Sequence, residues 1–343
     1  MKLIYNYSLE ELTEYFQTIN EKPFRAKQVY EWLYEKECNS FDEMTSISKE
    51  LREKLKANFT LDALEIETKQ VSKDGTTKYL FKLPDGNLIE TVLMIHDYGK
   101  SLCVTSQVGC NMGCAFCASG LLKKKRDLTA GEMVSQIMKV QNDLDIRISH
   151  VVVMGTGEPF DNYDNVMKFI RLINFPKGLA IGARHITIST CGIAPKILDY
   201  ANEGIQTNLA ISLHAPNNDI RNTIMPINTK YNMDELRQAV SEYIQKTNRR
   251  VTFEYIMLKD INDSLIYARQ LAHYLRGLNA YVNLIPFNAV DESGFQPSSR
   301  GSVEDFKDEL LRLKINATIR KEHGSDIDGA CGQLRAKVSE VKS

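Results

Sequence analysis

The 343-residue chain has no apolar run approaching the roughly 18 residues needed to span a bilayer. Its opening residues, MKLIYNYSLEELTEYF, return to charge at Glu10 before an apolar signal core can form, so neither a membrane nor a secreted protein is expected. It also lacks a charge imbalance: 43 Lys+Arg stand against 44 Asp+Glu, a formal net charge of −1. That balance neither supports nor excludes a nucleic-acid partner, because affinity for phosphate depends on local patches rather than on the sum. At 43% hydrophobic and 25% charged, the composition has none of the bias of disordered, collagen-like or fibrous chains. Cysteine is too sparse for a disulfide scaffold: seven residues, an odd count, in a long chain without a signal peptide. A reducing cytoplasm is the expected compartment.

The pattern along the chain predicts its organisation. Residues 1–60 read as a small helical domain, with a Ser8/Glu11 capping box opening LEELTEYFQTIN and basic residues (Arg25, Lys27, Lys49, Arg52, Lys54, Lys56) on polar faces. Such faces are more often solvated surface than RNA contacts. Residues 61–101 read as a β-hairpin linker, with turn signals at Asp74-Gly75 and Asp85-Gly86. From residue 102 strands and helices alternate: LCVTSQVG, HVVVMG, HITIST, TNLAISL, RVTFEYIML and YVNLIPFN are each followed by an amphipathic stretch, and ATIR closes the series. One of these helices opens on a Thr129/Glu132 capping box, and another is expected to end at Gly204. Six successive βα units require a parallel sheet with right-handed crossovers. They are too few for a closed eight-unit barrel. The expected fold is therefore α/β, a partial (βα)6 barrel over residues 102–337 with a tail at 338–343, and its chemistry should sit at the C-terminal strand ends.

The most informative segment is Gly109-Cys110-Asn111-Met112-Gly113-Cys114-Ala115-Phe116-Cys117. Chance spacing of seven cysteines would give about 0.003 such matches. The two glycines argue against a helix with a buried cysteine stripe. Structural zinc wants four ligands, usually two dyads, and no second dyad exists. Three thiolates in a loop after the first strand suit a 4Fe-4S cluster with one iron left open for a small ligand. The other strand ends carry Gly155-Thr156-Gly157-Glu158-Pro159, Ser189, Ser212-Leu213-His214 and Asn288. Singly each reads as a cap or turn residue, and Gly-x-Gly alone is weak evidence for a nucleotide. Together they mark one face.

With CxxxCxxC after the first strand of a partial βα barrel, the sequence resembles the radical S-adenosylmethionine enzymes. The resemblance implies that Cys110, Cys114 and Cys117 hold a 4Fe-4S cluster whose open iron chelates the amino and carboxylate groups of S-adenosyl-L-methionine. It implies that Phe116 shields the cluster and that Gly157, Glu158, Ser189, Ser212, Leu213, His214 and Asn288 contact the cofactor. The likeness narrows further. LIETVLM, CVTSQVGCNMGCAFCASG, MGTGEPFDN, GARHITISTCGI, AISLHAPN, RNTIMPIN and DIDGACGQLR resemble the RlmN-type adenine methyltransferases of ribosomal and transfer RNA, in a likeness that runs from about residue 24 to 337 and includes the helical domain. The Cfr-type family, which methylates carbon 8 of adenine, shares the cysteines and stays open as an alternative.

Carbon 2 of adenine lies between two ring nitrogens and is electron-poor, so an electrophilic methyl cannot attack it. The resemblance implies that a protein thiolate first takes a methyl, that a 5′-deoxyadenosyl radical removes a hydrogen from it, and that the carbon radical adds to the ring. A base then removes the ring proton and a second thiol displaces the RNA by forming a disulfide. By this resemblance Cys331 carries the methyl, Cys103 resolves it and Glu90 accepts the proton. From pattern alone Cys103 reads as a core strand residue. Cys331 sits in a Gly-rich loop suited to a reactive thiol, and Glu90 is either a buried functional carboxylate or an outward strand residue. Cys38 and Cys191 read as structural. Expected partners are 23S rRNA, tRNA and an electron donor such as flavodoxin or ferredoxin, with no membrane and a monomeric chain. RNA contacts are expected at Lys123-Lys124-Lys125-Arg126, Arg249-Arg250, Arg320-Lys321, Arg335 and Lys337 and the helical domain, with the target base in a loop or flipped from its stack. An RNA-binding iron–sulfur protein without catalysis and a zinc-ribbon module are the readings from other classes.

Overall fold

The computed structural model describes residues 1–121, 123–288, 294–324 and 326–327. Residues 1–60 form three helices, α1 (Leu9–Thr18), α2 (Pro23–Tyr34) and α3 (Lys49–Asn58), tied by the two-residue strands β1 (Lys2–Leu3) and β2 (Phe59–Thr60). Both bonds of the Ser8/Glu11 capping box are present, and Phe16, Val29, Tyr30, Leu33, Leu51 and Leu55 fill the core beneath. Most cations on the helical faces are engaged locally. Lys54 meets Glu21 and Glu50, Lys56 meets Asp42 and Glu53, and Lys27 meets Glu31.

Residues 61–101 form β3 (Glu65–Val71), β4 (Thr77–Lys82), β5 (Leu88–His96) and the start of β6 (Gly99–Cys103). The turns at Gly75 and Gly86 adopt φ +84° and +80°, as Asp-Gly signals demand. These strands form a meander that joins β6 and so extends the main sheet edge to edge.

The expected β/α alternation follows. Two short strands, β7 (Gln107–Val108) and β8 (Arg126–Asp127), flank the cysteine loop. Then come α4 (Ala130–Leu144), β9 (His150–Val153), α5 (Tyr163–Asn174), β10 (Ile186–Thr190), α6 (Ala194–Ala201), β11 (Asn208–Ser212), α7 (Asn218–Ile224), α8 (Met233–Thr247), β12 (Val251–Met257), α9 (Leu265–Leu275), β13 (Ala280–Pro286), α10 (Arg300–Arg312) and β14 (Ala317–Ile319). Among the described residues the main sheet has ten strands, ordered β14-β13-β12-β11-β10-β9-β6-β5-β4-β3, parallel from β6 to β14. Six βα units in this order make the open partial barrel expected from the sequence. The α6 helix ends at Ala201 with Asn202 as its cap, two residues before Gly204, which takes φ +67°.

LCVTSQVG is not one continuous strand. Pairing with β9 stops at Cys103, and the next residues serve the Gly155–Glu158 turn instead. Gly155 N–H donates to the Val104 carbonyl, and the Ser106 and Gln107 amides donate to the Thr156 carbonyl.

The strands are amphipathic in an unusual sense. Leu102, Val151, Val153, Ile186, Ile188, Leu209, Ile211, Val251, Phe253 and Val282 are buried in the helix-facing core. Their alternates Ser101, Thr187, Asn208, Thr252, Glu254, Asn283 and Thr318 line a polar interior cavity of about 960 Å³. The interior is thus lined rather than filled with branched apolar layers.

Candidate active site

The cysteine loop owes its shape to two left-handed glycines, Gly109 (φ +82°) and Gly113 (φ +65°). It is pinned to α7 by Ala115 N–H donating to the Ile224 carbonyl at 2.9 Å. Met112, Cys114 and Phe116 pack on an apolar patch formed by Ile224, Met225, Leu258 and Phe287. Cys110, Cys114 and Cys117 line one cavity of about 210 Å³ together with Gly157, Glu158, Ser189, Ser212 and His214. The strand-end residues singled out from the sequence therefore converge, because successive parallel strands end side by side. Asn288 lies in an adjoining cavity that shares Phe116 and Cys117. Leu213 is different: its side chain is in the core, and its N–H donates to the Glu254 carbonyl, which sets the stance of its neighbours Ser212 and His214.

Burial raises the Cys110 thiol to about 11 and pushes Cys114 further up, with the neighbouring cysteines adding to the effect on both. Thiols held together and driven neutral by burial are what a cationic centre would convert to thiolates, so the donor set fits an iron–sulfur cluster. Among the described residues no three His, Cys, Asp or Glu side chains converge on a single ion. A cubane gripped at three separate irons does not require such convergence.

The Gly-x-Gly segment is a packing device rather than a phosphate cradle. A Cβ on Gly155 would lie 2.6 Å from Thr105 Oγ1, and one on Gly157 (φ +110°) would lie 2.6 Å from Gln107 Cβ. Glycine thus lets the turn lie flat on the chain entering the cysteine loop. Glu158, which the resemblance places at the cofactor, also bolts the turn to the end of β10: Oε1 accepts from Phe160 N–H at 3.0 Å and Oε2 from Cys191 N–H at 2.7 Å. Burial raises its pKa, opposed by those amides.

Ser189 and Ser212 meet at 3.2 Å between hydroxyls. His214 adopts φ +57° and accepts the Ile256 N–H at Nδ1 (3.1 Å), while Phe116 packs edge-on against its ring at 4.9 Å. Burial lowers its pKa to about 3, aided by the charge of Arg221. The ring is therefore neutral, and the hydrogen falls on Nε2.

Two buried residues were missed by the sequence reading. Arg221 is fully buried and, among the described residues, pairs with no carboxylate. Its guanidinium donates to the carbonyls of Leu213 (3.1 Å), Cys191 (2.6 Å) and Ser212 (3.3 Å) and to Asn228 Oδ1 (2.8 Å), lacing the ends of β10 and β11 together. It also brings positive charge to Cys114. Its signal was present in RNTIMPIN, an arginine in an otherwise uncharged motif. Glu254, in VTFEYIM, lies on the interior face of β12, accepts from Asn283 Nδ2 at 2.8 Å and lines both the cysteine cavity and the larger interior.

Glu90 proves to be the buried alternative, 4% exposed, with its Oε2 3.1 Å from Nζ of the fully buried Lys78. Cys103 is buried, opposite Val92 on β5 and Val152 on β9. Gln136 of α4 fixes this corner: its Oε1 accepts from Thr91 Oγ1 and Thr105 N–H, and its Nε2 donates to the Thr105 carbonyl. Cys191, read as structural, lines the cysteine cavity itself. Cys331 lies outside the described residues, as do Arg335 and Lys337. The basic run is partly neutralised within the chain. Lys124 pairs with Asp127 and Asp161, and Arg126 with Asp85 and Glu132, which removes two of its four cations from a free RNA-binding patch.

Comparison with known proteins agrees with this architecture. Residues 3–61 match the model of the ribosomal RNA large subunit methyltransferase N-terminal domain, and residues 104–269 match that of the radical SAM superfamily. A probable dual-specificity RNA methyltransferase RlmN of Listeria welshimeri is 60% identical over 97% of this chain and 93% of its own length. The Enterococcus faecalis protein of the same description is 59% identical over 97% and 96%. The crystal structure of a radical SAM methyltransferase from Sphaerobacter thermophilus superposes with a TM-score of 0.94 at 40% identity, covering 97% of this chain and 99% of that one. At such identity over nearly the full length, the chain belongs to the RlmN family of radical S-adenosylmethionine RNA methyltransferases.

Proposed function

We propose that the protein methylates carbon 2 of an adenosine in the peptidyl-transferase region of 23S rRNA and of an adenosine next to the anticodon in tRNAs. Cys331 carries the methyl and Cys103 closes a transient disulfide with it. In this reading Cys110, Cys114 and Cys117 hold a 4Fe-4S cluster, and S-adenosyl-L-methionine occupies the cavity beside it, near Gly157, Ser189, Ser212, His214 and Asn288. When bound, that pair supplies the methyl group and the hydrogen-abstracting radical. The chain's own residues do the rest. Neutral His214 and the two serine hydroxyls offer hydrogen bonds without adding charge beside a sulfonium. Glu90 receives the proton of the ring carbon. The Cys103 thiolate then attacks the sulfur of Cys331: the S–S bond forms as the sulfur–methylene bond breaks, and the methylene carbon keeps the bonding pair, takes up a proton and leaves with the RNA as its methyl group.

The observation that carries this reading is the register of β4, β5 and β6. Glu90 and Val92 share one face of β5, Cys103 lies directly opposite Val92, and Val92 lines a cavity with Phe116 and Cys117. A carboxylate and a thiol outside the cluster loop thus face the cluster side of the barrel.

Cys331 follows Ile327 by four residues, a reach of about 14 Å. The chain before it is tethered. The Ser72 hydroxyl and the Lys73 N–H (3.2 Å) donate to the Asp326 carboxylate, and the Gly324 N–H donates to Asp74 Oδ2 at 3.0 Å. Residues 320–324 and 326–327 thereby connect the last parallel strand to the β3–β4 turn.

Reduction requires an electron donor of the flavodoxin or ferredoxin class, and the monomeric chain acts in the cytoplasm. Among the described residues no helix is long and apolar enough to cross a membrane. The test is anaerobic reconstitution with iron and sulfide, then incubation with a 23S rRNA fragment and cofactor, resolving products by mass spectrometry. Deoxyadenosine and 2-methyladenosine are expected together, and Cys331→Ala should abolish the second. A methyl at carbon 8 would establish the Cfr-type alternative, and methylation by Cys331→Ala would overturn the carrier role.

A further inference from the structure

We infer that Lys78 is a positioning residue for the proton acceptor, holding the Glu90 carboxylate in place on the interior face of the barrel; the inference rests on the reading of Glu90 given above. Lys78 is 0% exposed and its Nζ stands 3.1 Å from Glu90 Oε2, itself on a side chain 4% exposed. A lysine and a glutamate sealed from water lose most of their hydration, and an apolar pair of similar size would serve a purely structural role as well or better. The other lysine of β4, Lys82, shows the ordinary arrangement: it is exposed and only loosely paired with Glu65 at 3.8 Å.

The register explains why the buried pair sits where it does. Lys78 lies opposite Val92, Val92 lies opposite Cys103, and Glu90 lies opposite Leu80, so Lys78, Glu90 and Cys103 share one face across three strands. The opposite face of β4 is spent differently, with the Tyr79 hydroxyl donating to Asp143 Oδ2 at 2.6 Å. The backbone of Glu90 is fixed too, because Thr105 Oγ1 donates to its carbonyl at 2.6 Å, on the chain that leads into the cysteine loop.

A carboxylate that takes a proton from a carbon has to be held within reach of it. The Lys78 ammonium, in contact with Oε2, fixes where that oxygen sits. In the step it supports, the ring C–H bond breaks, an O–H bond forms on Glu90, and the bonding pair remains with the ring.

The experiment compares Glu90→Gln, Lys78→Met, Lys78→Arg and the Lys78→Met/Glu90→Gln double variant. Each is reconstituted with iron and sulfide and given the 23S rRNA fragment and cofactor. Readouts are deoxyadenosine release and the covalent protein–RNA adduct on a denaturing gel. Glu90→Gln should release deoxyadenosine and accumulate adduct. Lys78→Met should do the same, with resolution slowed by about 100-fold, Lys78→Arg should recover at least about tenfold of that loss, and the double variant should resolve no more slowly than Glu90→Gln, because the two residues act as one unit. If Lys78→Met does not load iron, Lys78→Gln takes its place under the same criteria. Adduct resolved at the parental rate by the lysine variants while Glu90→Gln stalls overturns the role of Lys78 alone. Glu90→Gln resolving normally overturns the assignment of Glu90 and the inference with it.

Discussion

Replacing Gly157 by alanine tests the idea that the Gly-x-Gly turn exists to lie against the chain entering the cysteine loop. Two costs follow from the geometry. The residue holds φ +110°, a conformation a Cβ disfavours by about 1–2 kcal/mol. The added Cβ would also sit 2.6 Å from Gln107 Cβ, 2.8 Å from its Cγ and 2.9 Å from its backbone nitrogen. Backbone cannot swing aside, so relief requires the two segments to part, at about 1–3 kcal/mol more. Gln107 is in turn bonded to the Glu158 N–H, Asp127 and Asp161, so the displacement reaches both the turn and the loop. The control is Gly86→Ala, at φ +80° with nothing within 4 Å, which bears the backbone cost alone. Denaturant unfolding of the metal-free chains should place Gly157→Ala about 2–5 kcal/mol below the parent and clearly below Gly86→Ala. Iron retention after anaerobic reconstitution should fall in the first variant and hold in the second. Equal stabilities for the two variants, or full iron loading of Gly157→Ala, would refute the reasoning.

Further outcomes follow from other parts of the site. Cys114→Ala should lose the iron and sulfide that the parent retains after reconstitution, whereas Cys191→Ala, altering a thiol in the same cavity that the cluster does not need, should retain both; elemental analysis separates them. His214 titrates near 3 in the fold, against an ordinary value near 6.5 in the unfolded chain, so the unfolded state binds more protons below about 6.5 and stability should fall as pH drops toward 3, with no effect above 7; denaturant midpoints of the metal-free chain at pH 7 and 5 should converge in His214→Gln. Asp326→Ala removes the acceptor shared by Ser72 and Lys73, a loss of about 1–2 kcal/mol of tethering, and should lower methyl loading of Cys331 by about tenfold in intact-mass measurements; unchanged loading would refute the tether.

Much of this was legible in one dimension because it depends on local periodicity. The Ser8/Glu11 and Thr129/Glu132 boxes, the Asp-Gly turns and the βα alternation are set by residues within a few positions of one another, and the convergence of Ser189, Ser212 and His214 follows once parallel strands are laid in order. What could not be read there depended on distant partners. Two of the acids paired with the run at residues 123–126, Asp85 and Asp161, lie some forty residues away on either side. The amide that Glu158 Oε2 accepts belongs to Cys191, on the next strand's end.

The sequence by itself determined the parts: three thiols at a rare spacing, six βα units, and motifs long enough to identify a family. Only the tertiary structure decided which side of the sheet each strand residue serves. A one-residue shift in the pairing of β4, β5 and β6 would send Lys78, Glu90 and Cys103 to the helix-facing side. At β5 and β6 that register is held by Gln136 of α4, which bonds Thr91 and Thr105, contacts whose partners are far apart along the chain.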